Sequence, residues 1–199
     1  MGRSRARDFE DKQKHILDTA ASVFATSSID KASMATIAQA AQVSKALLYH
    51  YYASKDDLIF GIVETQLNQL ETALLAADDP ALDPRSRLRK LISAVVAQFE
   101  NANDLHRVRI TYMSSLPDDM TVRLKDTERS IIRIFSAILA ELNPALQREG
   151  GKLMPATMTM FGSFNWIYTW FRTDGTMSRD EYADLMTDLF LNGLVNIKN

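Results

Sequence analysis

The residues best placed to do chemistry lie between positions 33 and 55. Ser33, Ser44, Lys45, Tyr49, His50, Tyr51 and Lys55 supply hydroxyls, two cations and an imidazole within 23 residues. Short polar side chains at the start of a short helix, such as Ser44 and Lys45, suit base edges in a major groove. Flanking hydroxyl, imidazole and ammonium groups suit phosphates. Other chemistry is poorly provided for. The three histidines, His15, His50 and His106, have no second His or carboxylate at metal-ligand spacing, so no metal site is expected. The absence of cysteine excludes a thiol nucleophile, a disulfide framework, an iron–sulfur cluster and a thiolate zinc site. No Gly-rich phosphate cradle is present, and the acid pair Asp118-Asp119 opens a helix, where the dipole accounts for it. No cofactor and no enzymatic activity are expected.

Helical spacing dominates the elements that must position these residues, and no convincing strand is read. Ile16, Leu17, Ala20, Val23 and Phe24 stripe a first helix, which breaks at Ser27–Asp30. Ser33 suits the N-cap of a short second helix carrying Met34, Ile37, Ala38 and Ala41. After Gln42-Val43, Ser44 suits the cap of a third, with Leu47, Leu48 and Tyr51. Ser54 and Asp57 have capping-box spacing before a long fourth helix with Leu58, Ile59, Ile62, Val63, Leu67, Leu70 and Leu74 inward. Asp78–Pro84 is the strongest breaker, and Asp83-Pro84 suits the cap and first position of the next helix. That helix carries Leu88, Leu91, Ile92, Val95 and Phe99, and a shorter one from Asp104 stops before Pro117. Leu124, Ile131, Phe135, Ile138 and Leu142 stripe another, ended by Asn143-Pro144. Residues 155–171 are apolar nearly all round, as for a helix buried on several sides, and Ser178 with Glu181 forms a capping box for a last helix. The expected architecture is all-α: three short helices, then about six longer ones. The expected domains are residues 1–55 and 56–199.

Two short helices joined by a tight turn, locked through Ile37, Ala38, Val43 and Leu48, match a helix-turn-helix. The run Ser33-Met-Ala-Thr-Ile-Ala-Gln-Ala-Ala-Gln-Val-Ser-Lys-Ala-Leu-Leu-Tyr-His-Tyr-Tyr-Ala-Ser-Lys-Asp-Asp-Leu58 resembles the DNA-binding domain of the tetracycline-repressor (TetR) family. The resemblance spans roughly residues 10 to 60, and a length of 199 residues suits the family's helical C-terminal domain. It implies Ser44, Lys45, Ala46 and Leu47 at base edges, with Lys45 toward guanine and Ala46 or Leu47 toward a thymine methyl. Ser33, Tyr49, Tyr51 and Lys55 would meet phosphates, and His50 either. The plainer readings are core aromatics for Tyr49 and Tyr51 and an ordinary capping-turn lysine for Lys55. Gln42 stands where the family's turn glycine is usual. A left-handed backbone there costs Gln about 1 kcal/mol relative to Gly.

Charge agrees mildly with a DNA reader on an acidic body. The chain has a net charge of −2, yet residues 1–55 carry eight Lys and Arg against five Asp and Glu. Arg3, Arg5 and Arg7 read first as a frayed basic tail and second as a DNA-contacting arm. The N-terminus is too polar for a signal peptide, and Ala6 stands where a myristoylation signal needs Ser or Thr. No apolar stretch approaches about 18 residues, so no membrane span is expected and a cytoplasmic protein is the default.

After Leu58 the chain is rich in aromatic and Met residues. For any one of them core burial is the simpler reading. With the resemblance they imply a helix-lined apolar cavity for a small effector, with Phe99, Arg109, Tyr112, Met113, Phe135, Phe161, Asn165, Trp166 and Trp170 as candidates. The resemblance also implies a homodimer through the last two helices, about 155–171 and 178–194, with Gly162 and Gly193 permitting close approach. Two-fold symmetry then implies a near-palindromic duplex operator. The run from Asn165 to Glu181 is similar to the end of a family branch that responds to acyl-CoA thioesters. Arg107, Arg109 and Arg172, with Arg85, Arg87, Arg89 and Lys90 further out, are then phosphate candidates. The alternative effector is an aromatic or cationic drug, as for regulators of efflux pumps; no acid facing a cavity stands out. A helical protein-interaction scaffold is the reading from a different class.

Overall fold

A computed structural model describes residues 2–98, 103–148, 151–172, 174–194 and 197, with backbone only for 2–8 and 10. Among them are nine α-helices and no strand: α1 (Gly2–Ser27), α2 (Met34–Ala40), α3 (Lys45–Tyr51), α4 (Lys55–Ala77), α5 (Pro84–Gln98), α6 (Asn103–Tyr112), α7 (Asp118–Leu142), α8 (Leu153–Trp170) and α9 (Arg179–Leu194). Short 3₁₀ turns follow α6 and α7.

Local chemistry sets most boundaries. The Ser33 and Ser44 hydroxyls accept from the Thr36 and Leu47 amides at 3.0 and 3.1 Å, each satisfying an orphan donor of the first turn. Asp83 accepts from the Arg85 and Ser86 amides at 3.0 and 3.2 Å, and the Ser86 hydroxyl first, then these amides, hold its carboxyl below the usual range. Ser178 and Glu181 close a complete capping box: Glu181 accepts from the Ser178 amide at 2.7 Å, and Ser178 from the Glu181 amide at 3.2 Å. At Ser54 only half the box forms. Its hydroxyl accepts from the Asp57 amide at 3.1 Å but donates back to the Asp57 carboxylate at 2.7 Å.

Three features differ from the sequence expectations. The first helix is not short, because α1 spans 26 residues and starts at Gly2. The backbone at Arg3, Arg5 and Arg7 is therefore helical rather than frayed, while their side chains lie outside the description. The α8 helix is not buried on several sides within the chain: Met154, Met158, Trp166 and Trp170 are exposed. The contact pattern also groups residues otherwise than by a cut at residue 55. One compact unit is Met1–Gln66 with Ala102–Leu124, the other Leu67–Asn101 with Lys125–Asn199.

The first unit has Ile16, Leu17, Ala20 and Phe24 of α1, Ile37 and Ala38 of α2, Leu48 of α3 and Leu58 to Val63 of α4 in its core. Residues 102–124 belong to it because α6 packs on α1 and two polar ties reach back. Arg107 donates to the Ala25 carbonyl at 3.3 Å, and the Tyr112 hydroxyl accepts from the Ile29 amide at 3.3 Å. In the second unit α5 packs on α9 around Leu88, Leu91, Ile92 and Val95. Asn143 donates to the Leu194 carbonyl at 2.8 Å, tying the end of α7 to the end of α9.

The α2–α3 turn carries the expected strain: Gln42 has φ 55°, in the left-handed region. Its conformation lets the Gln42 and Val43 amides close on Gln39 and Ala38 of α2 at 3.1 and 3.0 Å. Replacing Gln42 with Gly should raise unfolding free energy by about 1 kcal/mol and the melting temperature by roughly 2–4 °C. Thermal denaturation by circular dichroism checks this, and an unchanged or lower melting temperature would refute it.

Candidate nucleic-acid interface

A helix of seven residues shows one face inward and the rest outward, and α3 does this with a single anchor. Leu48 is fully buried, while Lys45, Ala46, Tyr49 and His50 are exposed and Leu47 and Tyr51 half-buried. Positions 45 and 49, and 46 and 50, are each four apart, so they form two adjacent outward rows. That surface offers a cation and a methyl group at the helix start, then a phenol and an imidazole one turn later. Those are the donor types that duplex base edges and phosphates accept.

The other predicted contacts have internal duties too. Ser44 and Ser33 are caps, and the Ser33 hydroxyl also meets that of Thr36 at 2.8 Å. Both hydroxyl oxygens thus serve first as caps, with Ser33 sharing one further hydrogen bond with Thr36. Lys55 donates to the Ile29 carbonyl at 2.8 Å, so one of its three N–H bonds is spent inside the unit. Tyr51 meets Phe9 at a tilt of 33° with ring centroids 4.8 Å apart and takes His50 edge-on at 5.7 Å. Of the two tyrosines, Tyr49 is the outward one, at 52% exposed.

Sequence reasoning missed how this face is backed. Ile29 is held twice, its amide by Tyr112 and its carbonyl by Lys55, which pins the turn between α1 and α2. No local pattern links residue 112 to residue 29. Gly61 did leave a signal, as a glycine inside a helix. A Cβ there would come 3.0 Å from the Tyr52 ring and 3.2 Å from Leu17, so any larger residue would have to push these side chains aside.

The predicted effector residues divide between the units. Arg109, Tyr112 and Met113 fall in the first; Phe135, Phe161, Asn165, Trp166 and Trp170 fall in the second; Phe99 lies outside the described residues. Tyr112 is engaged with Ile29, and Arg109 sits 3.4 Å from the buried His106 ring. Phe135 is fully buried and meets Phe161 and Phe164 at 5.4 Å each, a packed aromatic cluster of the core. Trp166 and Trp170 lie at the surface, 65% and 50% exposed. Several phosphate candidates are already paired. Arg87 bonds Asp78 and Glu141 at 2.8 and 2.7 Å, Arg89 bonds Asp184, and Arg172 bonds Asp174 at 3.2 Å.

Two family models match the chain. Residues 16–62 match the tetR family of bacterial regulatory proteins, and residues 81–194 the tetracyclin repressor-like C-terminal domain. The chain belongs to the TetR family of DNA-binding transcriptional regulators. It is 29% identical over 185 residues to the putative mycofactocin biosynthesis transcriptional regulator MftR of Mycobacterium tuberculosis, covering 90% of this chain and 89% of that one. A solved TetR-family regulator from Bordetella parapertussis superimposes with a TM-score of 0.84 at 28% identity, covering 94% and 97% of the two chains. AibR, solved in complex with isovaleryl coenzyme A and operator DNA, shares the fold with a TM-score of 0.75 at 21% identity, covering 89% and 97%. Among the described residues no helix is long and apolar enough to cross a membrane, and no three His, Asp or Glu side chains gather as a metal site.

Replacing Lys45 with Ala should relax base preference at one operator position, whereas Tyr49→Phe should weaken binding to all sequences alike. Binding to a set of single-base operator variants separates the two. Unchanged preference in Lys45→Ala would remove Lys45 from the base-reading set.

Proposed function

We propose that this chain is a homodimeric repressor that occludes a near-palindromic operator and leaves it when an acyl-CoA thioester binds. The outward face of α3 carries the DNA half of the reading. Lys45, Ala46, Leu47 and Ser44 would meet base edges, and Ser33, Tyr49, Tyr51 and Lys55 phosphates, with His50 at either. Dimerisation is supported by apolar surface concentrated on α8 and α9: Met154, Met158, Trp166, Leu185 and Leu189 are exposed, and nothing stands within 4 Å of a Cβ built at Gly162 or Gly193. A four-helix seam of α8 and α9 from two protomers would bury that surface.

The acyl-CoA reading rests on the run from Asn165 to Glu181 and on fold likeness to AibR. Because α4 contributes residues to both compact units, a shift along it is the natural route from effector to α3. A coupling of about 1–3 kcal/mol would change operator affinity 5- to 150-fold.

Two measurements test this. Fluorescence anisotropy on the duplex upstream of the protein's own gene, titrated at fixed salt, should show binding that an acyl-CoA of suitable chain length reverses and free CoA does not. Binding that no thioester in a chain-length series reverses would overturn the effector assignment and leave the DNA reader standing. For the dimer, Leu189→Asp combined with Trp166→Asp should sediment as a folded monomer and lose at least tenfold in operator affinity. A double variant that stays dimeric would place the seam elsewhere.

A further inference from the structure

An open cleft of about 460 Å³ lies within the first unit, walled by α1, the end of α3, the start of α4 and the start of α7. Its chemistry is uneven in a telling way. Phe60 contributes a ring face, Asp57 and Glu64 contribute carboxylates, and one guanidinium, that of Arg123, opposes them. Arg123 stands 4.5 Å above the centre of the Phe60 ring and donates to Glu64 at 3.1 Å. An aromatic face beside a carboxylate is the standard recognition set for an organic cation, and here the chain's own arginine occupies it.

The cleft differs from a bare ion pair in that the guanidinium lies on a ring face as well as beside a carboxylate. The pair is weakly held, because the Arg123 and Glu64 side chains are 66% and 40% exposed, and exposed pairs contribute little. A resident cation of that kind is easily displaced. Tyr52 also lines the cleft; burial pushes its phenol pKa up, and a hydrogen bond with Gln13 works against that rise.

We propose that this cleft is a binding site for organic cations, guanidinium or quaternary ammonium groups on a flat apolar body, which displace Arg123 from Phe60 and Glu64. The site lies in the DNA-reading unit, apart from the acyl-CoA reading above. His50 and Tyr51 belong to its wall, so an occupant touches the end of the recognition helix directly. The consequence for operator binding rests on the DNA-reading role of α3; the binding itself does not.

Isothermal titration calorimetry of the full-length protein with phenylguanidinium and benzyltrimethylammonium tests the proposal. Arg123→Ala should tighten binding at least fivefold over wild type, since it removes the competitor from an exposed position. Adding Glu64→Gln to that variant should reverse the gain at least fivefold, with melting temperatures reported for each protein. Competition thus predicts opposite signs for the two substitutions. No heat in Arg123→Ala up to millimolar probe, or equal affinity in all three proteins, would overturn it. Calorimetry reads cation binding whether or not DNA is bound, so its failure leaves the operator reading untouched. The operator titration in turn can fail without affecting the cleft.

Discussion

A seven-residue helix has no stability of its own in water, since nucleation costs more than so few bonds return. Everything that α3 presents at the surface therefore depends on what holds it from behind. One buried side chain, Leu48, one cap, Ser44, and the left-handed turn at Gln42 fix its start and its rotation. At its far end Tyr51 is clamped by Phe9, and Tyr52 lies against Gly61 of α4. The outward residues have their geometry because these inward ones leave little choice.

The same economy explains why residues 102–124 count with the DNA-reading unit. Ile29 lies in the turn that aims α2, and both its backbone groups are bonded by residues far away in sequence, Tyr112 and Lys55. Buried backbone groups must find partners, and here the partners tie α6 and α4 to one point. Lys55 is thus a structural residue first, and any phosphate contact uses the donors that remain.

How much of this was legible in the sequence follows from the range of each interaction. Caps act over two or three residues, so Ser33, Ser44, Asp83 and Ser178 with Glu181 could be read directly, and the helix boundaries with them. The helix-turn-helix was legible because its inner positions and turn fall within one short run. Which effector candidates face the solvent was not, because residue type does not say which side of a helix faces protein. Trp166 and Trp170 are as apolar as Phe135 and Phe164, yet the first two face outward and the last two are sealed in the core. The ties of Ile29 to Tyr112 and of Glu64 to Arg123 span 83 and 59 residues, beyond any periodicity.

Apolar residues exposed on α8 and α9 and polar residues exposed on α3 make one argument together. The first set is costly in water unless covered, and in the proposed dimer a second copy of the chain would cover it; the second set suits a polyanionic partner. A dimer joined this way doubles the recognition helix by a two-fold axis. The most direct test is selection of bound duplexes from a random pool by the full-length protein at physiological salt. The account predicts enrichment of a near-palindrome whose half-sites are separated by one or more helical turns. Recovery of no preferred sequence, or of a single half-site without its mirror, would contradict it.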